Sequence, residues 1–155
     1  VAIEQRNKAV IDTEPDVAIG LKLPIISTNG RLFPLNYTTD DQLFTNVKNL
    51  LLTSPGERLF HPEFGTDIKK SLFEPNTTTL IGKIKDSIVT AIGYWIPNAS
   101  IVTLDVEPLT IATGLVEENG VAISLVIQNN TSGVTQPVTF LATPSGIEET
   151  SELAI

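Results

Sequence analysis

At Pro97 the spacing of apolar residues switches from about 3.6 to two, and this switch constrains the fold more than any other feature of the chain. Before it, Leu80, Ile81, Ile84, Ile88, Ala91, Ile92 and Trp95 recur at helical spacing from about residue 78 to 95, with Lys83, Lys85 and Asp86 facing away. After it, Val102, Leu104 and Val106 alternate with Thr103, Asp105 and Glu107. Pro108 interrupts that run, and Leu109, Ile111 and Leu115 continue it. Glu118, Asn119 and Gly120 read as a hairpin turn into Val121, Ile123, Leu125 and Ile127, and a last strand runs from about residue 134 to 141. An earlier amphipathic helix starts at Thr39 or Asp40, where Thr39 and Gln42 have capping-box spacing. Leu43, Phe44, Val47, Leu50 and Leu51 form its apolar face, and Ser54-Pro55-Gly56 stops it. Thr66 or Asp67 caps a short third helix through Phe73, closed by Pro75. Helices first and a contiguous meander afterwards predict an α+β domain, with two to three helices packed on a small, mainly antiparallel sheet.

That domain is expected over residues 39–142, between two arms. Residues 1–38 hold no sustained period: Pro15, Pro24 and Pro34 and an Asn29-Gly30 turn signal punctuate short apolar pieces, which predicts an extended N-terminal arm. Residues 143–155 are acidic and weakly patterned, which predicts a C-terminal arm. Arms of this length need something to hold them, and neighbouring chains are the simplest candidate.

The chain has 155 residues, no cysteine, one histidine and a net charge of −8. Disulfide frameworks, thiol nucleophiles and Cys/His zinc clusters are thereby excluded. The acidic balance argues against sequence-independent binding to nucleic acid and against anionic membrane surfaces. No run reaches the ~18 apolar residues of a membrane-spanning helix. Residues 1–85 hold ten acids and ten bases, whereas residues 86–155 hold eight acids and no base. A base-free block of this length arises either from a Thr/Val/Ile-rich sheet or from a surface that meets a basic partner.

Few constellations for chemistry exist. Glu57, Glu63 and Asp67 are spaced so that two carboxylates could flank a glycosidic bond. Simpler roles compete: Glu57 lies beside Arg58, Asp67 begins a helix where the dipole favours an anion, and Glu63 precedes a tight Phe64-Gly65 turn. His61 has no Ser/Asp partners at a recognisable spacing, no calcium-loop pattern occurs, and no glycine run cradles a phosphate. No catalytic residue, metal site or cofactor is assigned. Residues 53–74 instead look selected for shape. Pro55, Gly56, Pro62, Gly65 and Pro75 fix the backbone, while Leu59, Phe60, Phe64, Leu72 and Phe73 supply apolar anchors. Such a loop either packs on its own helices or presents a docking surface built from an aromatic and an Arg/Glu pair.

Three segments of this region closely resemble the contractile-tail baseplate wedge proteins of the gene 25 type. They are Leu50-Leu51-Leu52-Thr53-Ser54-Pro55-Gly56-Glu57-Arg58, Pro62-Glu63-Phe64-Gly65-Thr66-Asp67-Ile68 and Leu72-Phe73-Glu74. The resemblance covers about residues 38–142, and residues 16–20 and 30–35 look like the N-terminal arm of phage members. That family includes a type VI secretion baseplate subunit and has been labelled lysozyme-like. Its Glu-Pro-Arg motif after the long helix, associated with attachment to the wedge core, is matched here by Ile96-Pro97-Asn98, so only the turn carries over. The resemblance implies a non-enzymatic virion protein of a bacteriophage tail baseplate, assembled in the host cytoplasm in about six copies per particle. It further implies a wedge subunit that joins the core near the tail tube and initiates the sheath by strand addition. Its partners would be other wedge subunits, the tail sheath protein and the tail tube. Glu57, Arg58, Phe60, Pro62, Phe64, Gly65, Asp67, Phe73 and Pro97 are the expected partner-binding residues. The alternatives are a peptidoglycan-degrading lysozyme-like enzyme and the equivalent subunit of a type VI secretion baseplate.

Overall fold

Thr38 starts the first helix. Its hydroxyl accepts from the Asp41 backbone N–H at 3.2 Å and donates to the Asp41 carboxylate at 2.7 Å. This cap lies one residue before the expected Thr39. Thr39 is otherwise engaged, because its N–H and hydroxyl both donate to the Asp12 carboxylate at 2.8 Å. The computed structural model of the chain describes residues 12, 16–23, 25, 33–74, 78–110, 116–144 and 146–149. Pro15, Pro24, the Asn29-Gly30 turn, Pro75, Ile111, Leu115 and the tail beyond Glu149 lie outside those residues.

Three helices form as the periodicity predicts. Helix α1 (Thr39–Leu52) buries Phe44, Val47, Leu50 and Leu51. Helix α2 (Ile68–Ser71) is a single turn that buries Ile68, with Leu72 buried just after it. Helix α3 (Thr78–Trp95) buries Leu80, Ile84, Ile88, Ala91 and Ile92 along one stripe and exposes Lys83, Asp86 and Val89.

The sheet is an antiparallel meander of β3 (Ala99–Thr110), β4 (Val116–Asn129), β5 (Thr135–Thr143) and β6 (Gly146–Glu149), paired in chain order. Together with the helices it makes an α+β arrangement. Val106, Val121, Ile123, Leu125, Ile127, Val138, Phe140 and Ala142 are buried and join the helical stripes in one core. Burying a side chain such as Ile123 or Phe140 contributes roughly 1.5–3 kcal/mol.

Two details of the sheet differ from simple alternation. Ile101 faces Ile127 and Thr103 faces Val126, so Val102 is an extra residue in β3; it is 56% exposed, and Ile101 and Leu104 take the inward places instead. Strand β4 also passes straight through Glu118, Asn119 and Gly120, which were expected to turn. Thr110 faces Val116 and Pro108 faces Val121. Between those pairs β4 carries residues 117–120 against the single Leu109, so turn-forming residues are used for an irregularity within the ladder. Pro108 does not end β3, which is an edge strand of the sheet, the place where a strand tolerates proline.

Short strands also form within both expected arms. Strand β1 (Gly20–Leu21) pairs antiparallel with β2 (Leu35–Asn36), and Asn36 anchors this ribbon to α1. The buried Asn36 carboxamide donates to Thr45 Oγ1 at 2.8 Å and Gln42 Oε1 at 3.1 Å. A Cβ at Gly20 would displace the end of the Gln42 side chain, which accepts from Asn36. At the other terminus, β6 returns along residues 140–143 of β5 and places Ile147 against the core.

Candidate functional site

The segment after α1 is fixed at its base and open at its tip. Gly56 adopts φ +95°, donates its N–H to Pro62 O at 2.7 Å, and so closes the loop on itself. Thr66 ties the returning strand to α1, its N–H donating to Thr53 O at 2.9 Å and its hydroxyl to Leu51 O at 3.1 Å. Gly65 sits between them at φ +124°, where a Cβ would press into the Thr53 carbonyl. Phe64 is 8% exposed and meets Trp95 edge-on at 5.2 Å, with His61 on the same indole at 6.0 Å. The Arg58 guanidinium lies over the Phe64 ring at 4.3 Å. Between these clamps Leu59 and Phe60 project into solvent, 88% and 86% exposed. They are therefore not the anchors that their apolarity suggested; Phe64 and Leu72 are.

Glu57 does not pair with Arg58. Its carboxylate accepts from the Ser54 N–H at 2.9 Å and from Lys69 Nζ at 3.2 Å. The Ser54 hydrogen bond, followed by that of Lys69, holds this carboxyl below the usual glutamate range.

The expected site residues fall into three groups. Glu57, Arg58, Phe60 and Pro62 are exposed together on the loop, whereas Phe64 and Gly65 are buried and shape it from inside. Asp67 is exposed at the start of α2, bridged to Lys70 at 2.9 Å, and its N–H donates to Ser87 Oγ at 3.2 Å. Phe73 is 75% exposed but sits apart. Its neighbour Glu74 bridges Lys83, twelve residues before Trp95 and hence about 18 Å away along α3. Pro97 is brought to the loop: Arg58, Phe64, Trp95, Pro97 and Asn98 share a cleft of about 590 Å³ with residues of α1. Sequence reasoning missed this cleft and the exposed Leu59. The lone tryptophan next to Pro97 was the available signal.

A second, shallower cleft of about 460 Å³ contains Glu63, Asp67 and Asp86. Among the described residues no three His, Cys, Asp or Glu side chains come together as a metal site would require, and no helix is long and apolar enough to cross a membrane.

These features define a small α+β domain that displays a rigid loop with an apolar tip. The chain belongs to the family of the baseplate wedge protein gp25, whose model matches residues 39–130. As a member it is a structural component of a contractile-tail baseplate, assembled with other baseplate proteins. Its fold is similar to that of a candidate tail lysozyme from Geobacter sulfurreducens, with 20% identity, a TM-score of 0.57, and coverage of 76% of this chain and 96% of that one. It is also similar to a chain of the sixfold-symmetrised anti-feeding prophage baseplate, with 18% identity and a TM-score of 0.57 over 74% of this chain and 85% of that one. No curated protein matches the sequence.

Proposed function

We propose that this chain is a bacteriophage wedge subunit that docks near the tail tube through its exposed loop and initiates sheath assembly by strand addition. The observation that carries the reading is the pair Leu59 and Phe60, almost fully exposed at the tip of a loop whose base is hydrogen-bonded throughout. Exposed apolar side chains on a rigid support lose little conformational freedom when a partner covers them. The sheet supports the second half of the proposal. Strand β6 covers only residues 140–143 of β5, so among the described residues 135–139 present an open edge, and β3 presents another. A partner's extended segment adds to such an edge through main-chain hydrogen bonds. The partners are other wedge subunits, the sheath protein and the tube, in about six copies per virion, assembled in the host cytoplasm.

Catalysis is the rival reading, and Glu57 weighs against it. A glycosidase needs one carboxylic acid raised in pKa to protonate the leaving group, and Glu57, shifted the other way, does not fit that acid's role. A flat peptidoglycan turbidity trace with the folded chain is expected. Lysis that disappears in Glu57→Gln or Glu63→Gln would establish the enzyme instead. The assembly reading is tested by complementing tails that lack this subunit with Leu59→Ser/Phe60→Ser. Folded variant protein that stays out of the baseplate supports the loop as the dock, and normal incorporation contradicts it.

A further inference from the structure

The cleft beside Pro97 differs in charge from the rest of this acidic molecule. The chain carries 18 acids, yet among the described residues no carboxylate lines the cleft directly; Asp12 and Asp40 are bonded to its lining residues Thr39 and Asn129, and its one charged lining residue is Arg58. The lysines of α2 and α3 each hold a carboxylate: Lys69 with Glu57, Lys70 with Asp67, Lys83 with Glu74 and Lys85 with Asp105, at 2.7–3.7 Å. Arg58 holds none among the described residues. Its guanidinium lies over the Phe64 ring, and its N–H groups make no hydrogen bond among the described residues, so they are available to donate to a bidentate carboxylate. Around it stand carboxamides with spare capacity. Asn46 Oδ1 accepts from Gln42, leaving its own N–H groups available, and the side chains of Asn49 and Asn98 make no hydrogen bond among the described residues.

We propose that this cleft docks an extended segment of a partner subunit, with a glutamate or aspartate of that segment on Arg58 and its main chain read by Asn46, Asn49 and Asn98. An extended segment offers an N–H and a C=O at each residue, and a carboxamide answers both with one planar group. A cleft whose one described charged lining residue is a cation, in a molecule of net charge −8, selects a single carboxylate over a polyanion, which the surplus of acids would repel. A neutral sugar would leave the guanidinium uncompensated. The inference rests on the assembly reading and adds the chemistry of one contact to it.

Trp95 is the sole tryptophan and lines the cleft, so its emission reports occupancy directly. The probes are a capped pentapeptide alternating valine, glutamate and leucine, the same peptide with glutamine for glutamate, and chitotriose. The glutamate peptide is expected to shift the emission saturably and to bind roughly tenfold more tightly than its glutamine counterpart. Arg58→Gln removes that preference with the far-ultraviolet circular dichroism unchanged, and Arg58→Lys retains part of it. Should Arg58→Gln not fold, the wild-type preference must still shrink as salt rises from about 0.05 to 0.5 M. Equal affinity for the two peptides, a preference indifferent to Arg58 or to salt, or a response to chitotriose alone would overturn the proposal. Wild-type incorporation into baseplates without any peptide preference removes this inference alone. Peptide preference without incorporation removes the assembly reading alone.

Discussion

Gly65 and Gly56 both adopt positive φ in one loop, yet they answer to different constraints. A Cβ at Gly56 meets open space, so Gly56→Ala carries only the left-handed backbone penalty, about 1–2 kcal/mol. At Gly65 the same methyl would press on the Thr53 carbonyl that receives the Thr66 N–H. Gly65→Ala is therefore expected to cost roughly 2–4 kcal/mol in urea unfolding, clearly more than Gly56→Ala. Equal costs would mean that the loop base yields. Glu57 supplies a second residue-level prediction. Because its folded-state pKa is lowered, its contribution to the loop is fully present above the ordinary glutamate value of 4.5 and is lost as pH falls through the depressed one. In an NMR titration the Ser54 amide should follow the Glu57 carboxyl, with a midpoint below 4.5, and Glu57→Gln should abolish the step.

At the scale of elements, the helices and the inward face of β4 were legible because burial imposes a period. Leu80, Ile84 and Ile88, like Val121, Ile123, Leu125 and Ile127, stand where their spacing put them. Ile88→Ala in that stripe should cost about 2–5 kcal/mol. What was illegible depended on partners distant in sequence. Thr38 caps α1 because Asp12, 27 residues before Thr39, claims that residue. Val102 turns outward because β4 fixes the register of β3, which alternation along one strand cannot disclose. The apolar character of residues 59 and 60 suggested anchoring, but only the closure of Gly56 onto Pro62 decides that they project. Leu59→Ser/Phe60→Ser should accordingly leave unfolding free energy within about 0.5 kcal/mol of wild type. A larger loss would mean that the tip packs on its own domain and is not a dock.

Across the whole molecule the charge asymmetry acquires a place. The base-free residues 86–155 contain the latter part of α3 and the entire sheet, so no strand contributes a cation to its outer face; Lys85 of α3 reaches Asp105 at 3.7 Å. The open edge at residues 135–139 and the β4 residues paired with it carry no charge of either sign, so a strand adding there is held by main-chain hydrogen bonds. The terminal segments divide along the same lines. Asp12 accepts from Thr39, Asn36 of the β1–β2 ribbon donates to Thr45, and β6 pairs with β5, so a truncation that retains residues 12–149 keeps these contacts. The most direct test of the central claim is electron microscopy of tails complemented with wild-type chain, with Leu59→Ser/Phe60→Ser, or with a chain ending at Glu149. Wild type should give sheathed tails, the loop variant baseplates lacking this subunit, and the truncation, which keeps the open edges at residues 135–139 and β3, sheathed tails as well. Fully sheathed tails from the loop variant would contradict docking through the loop and, with it, the assembly mechanism proposed for this chain.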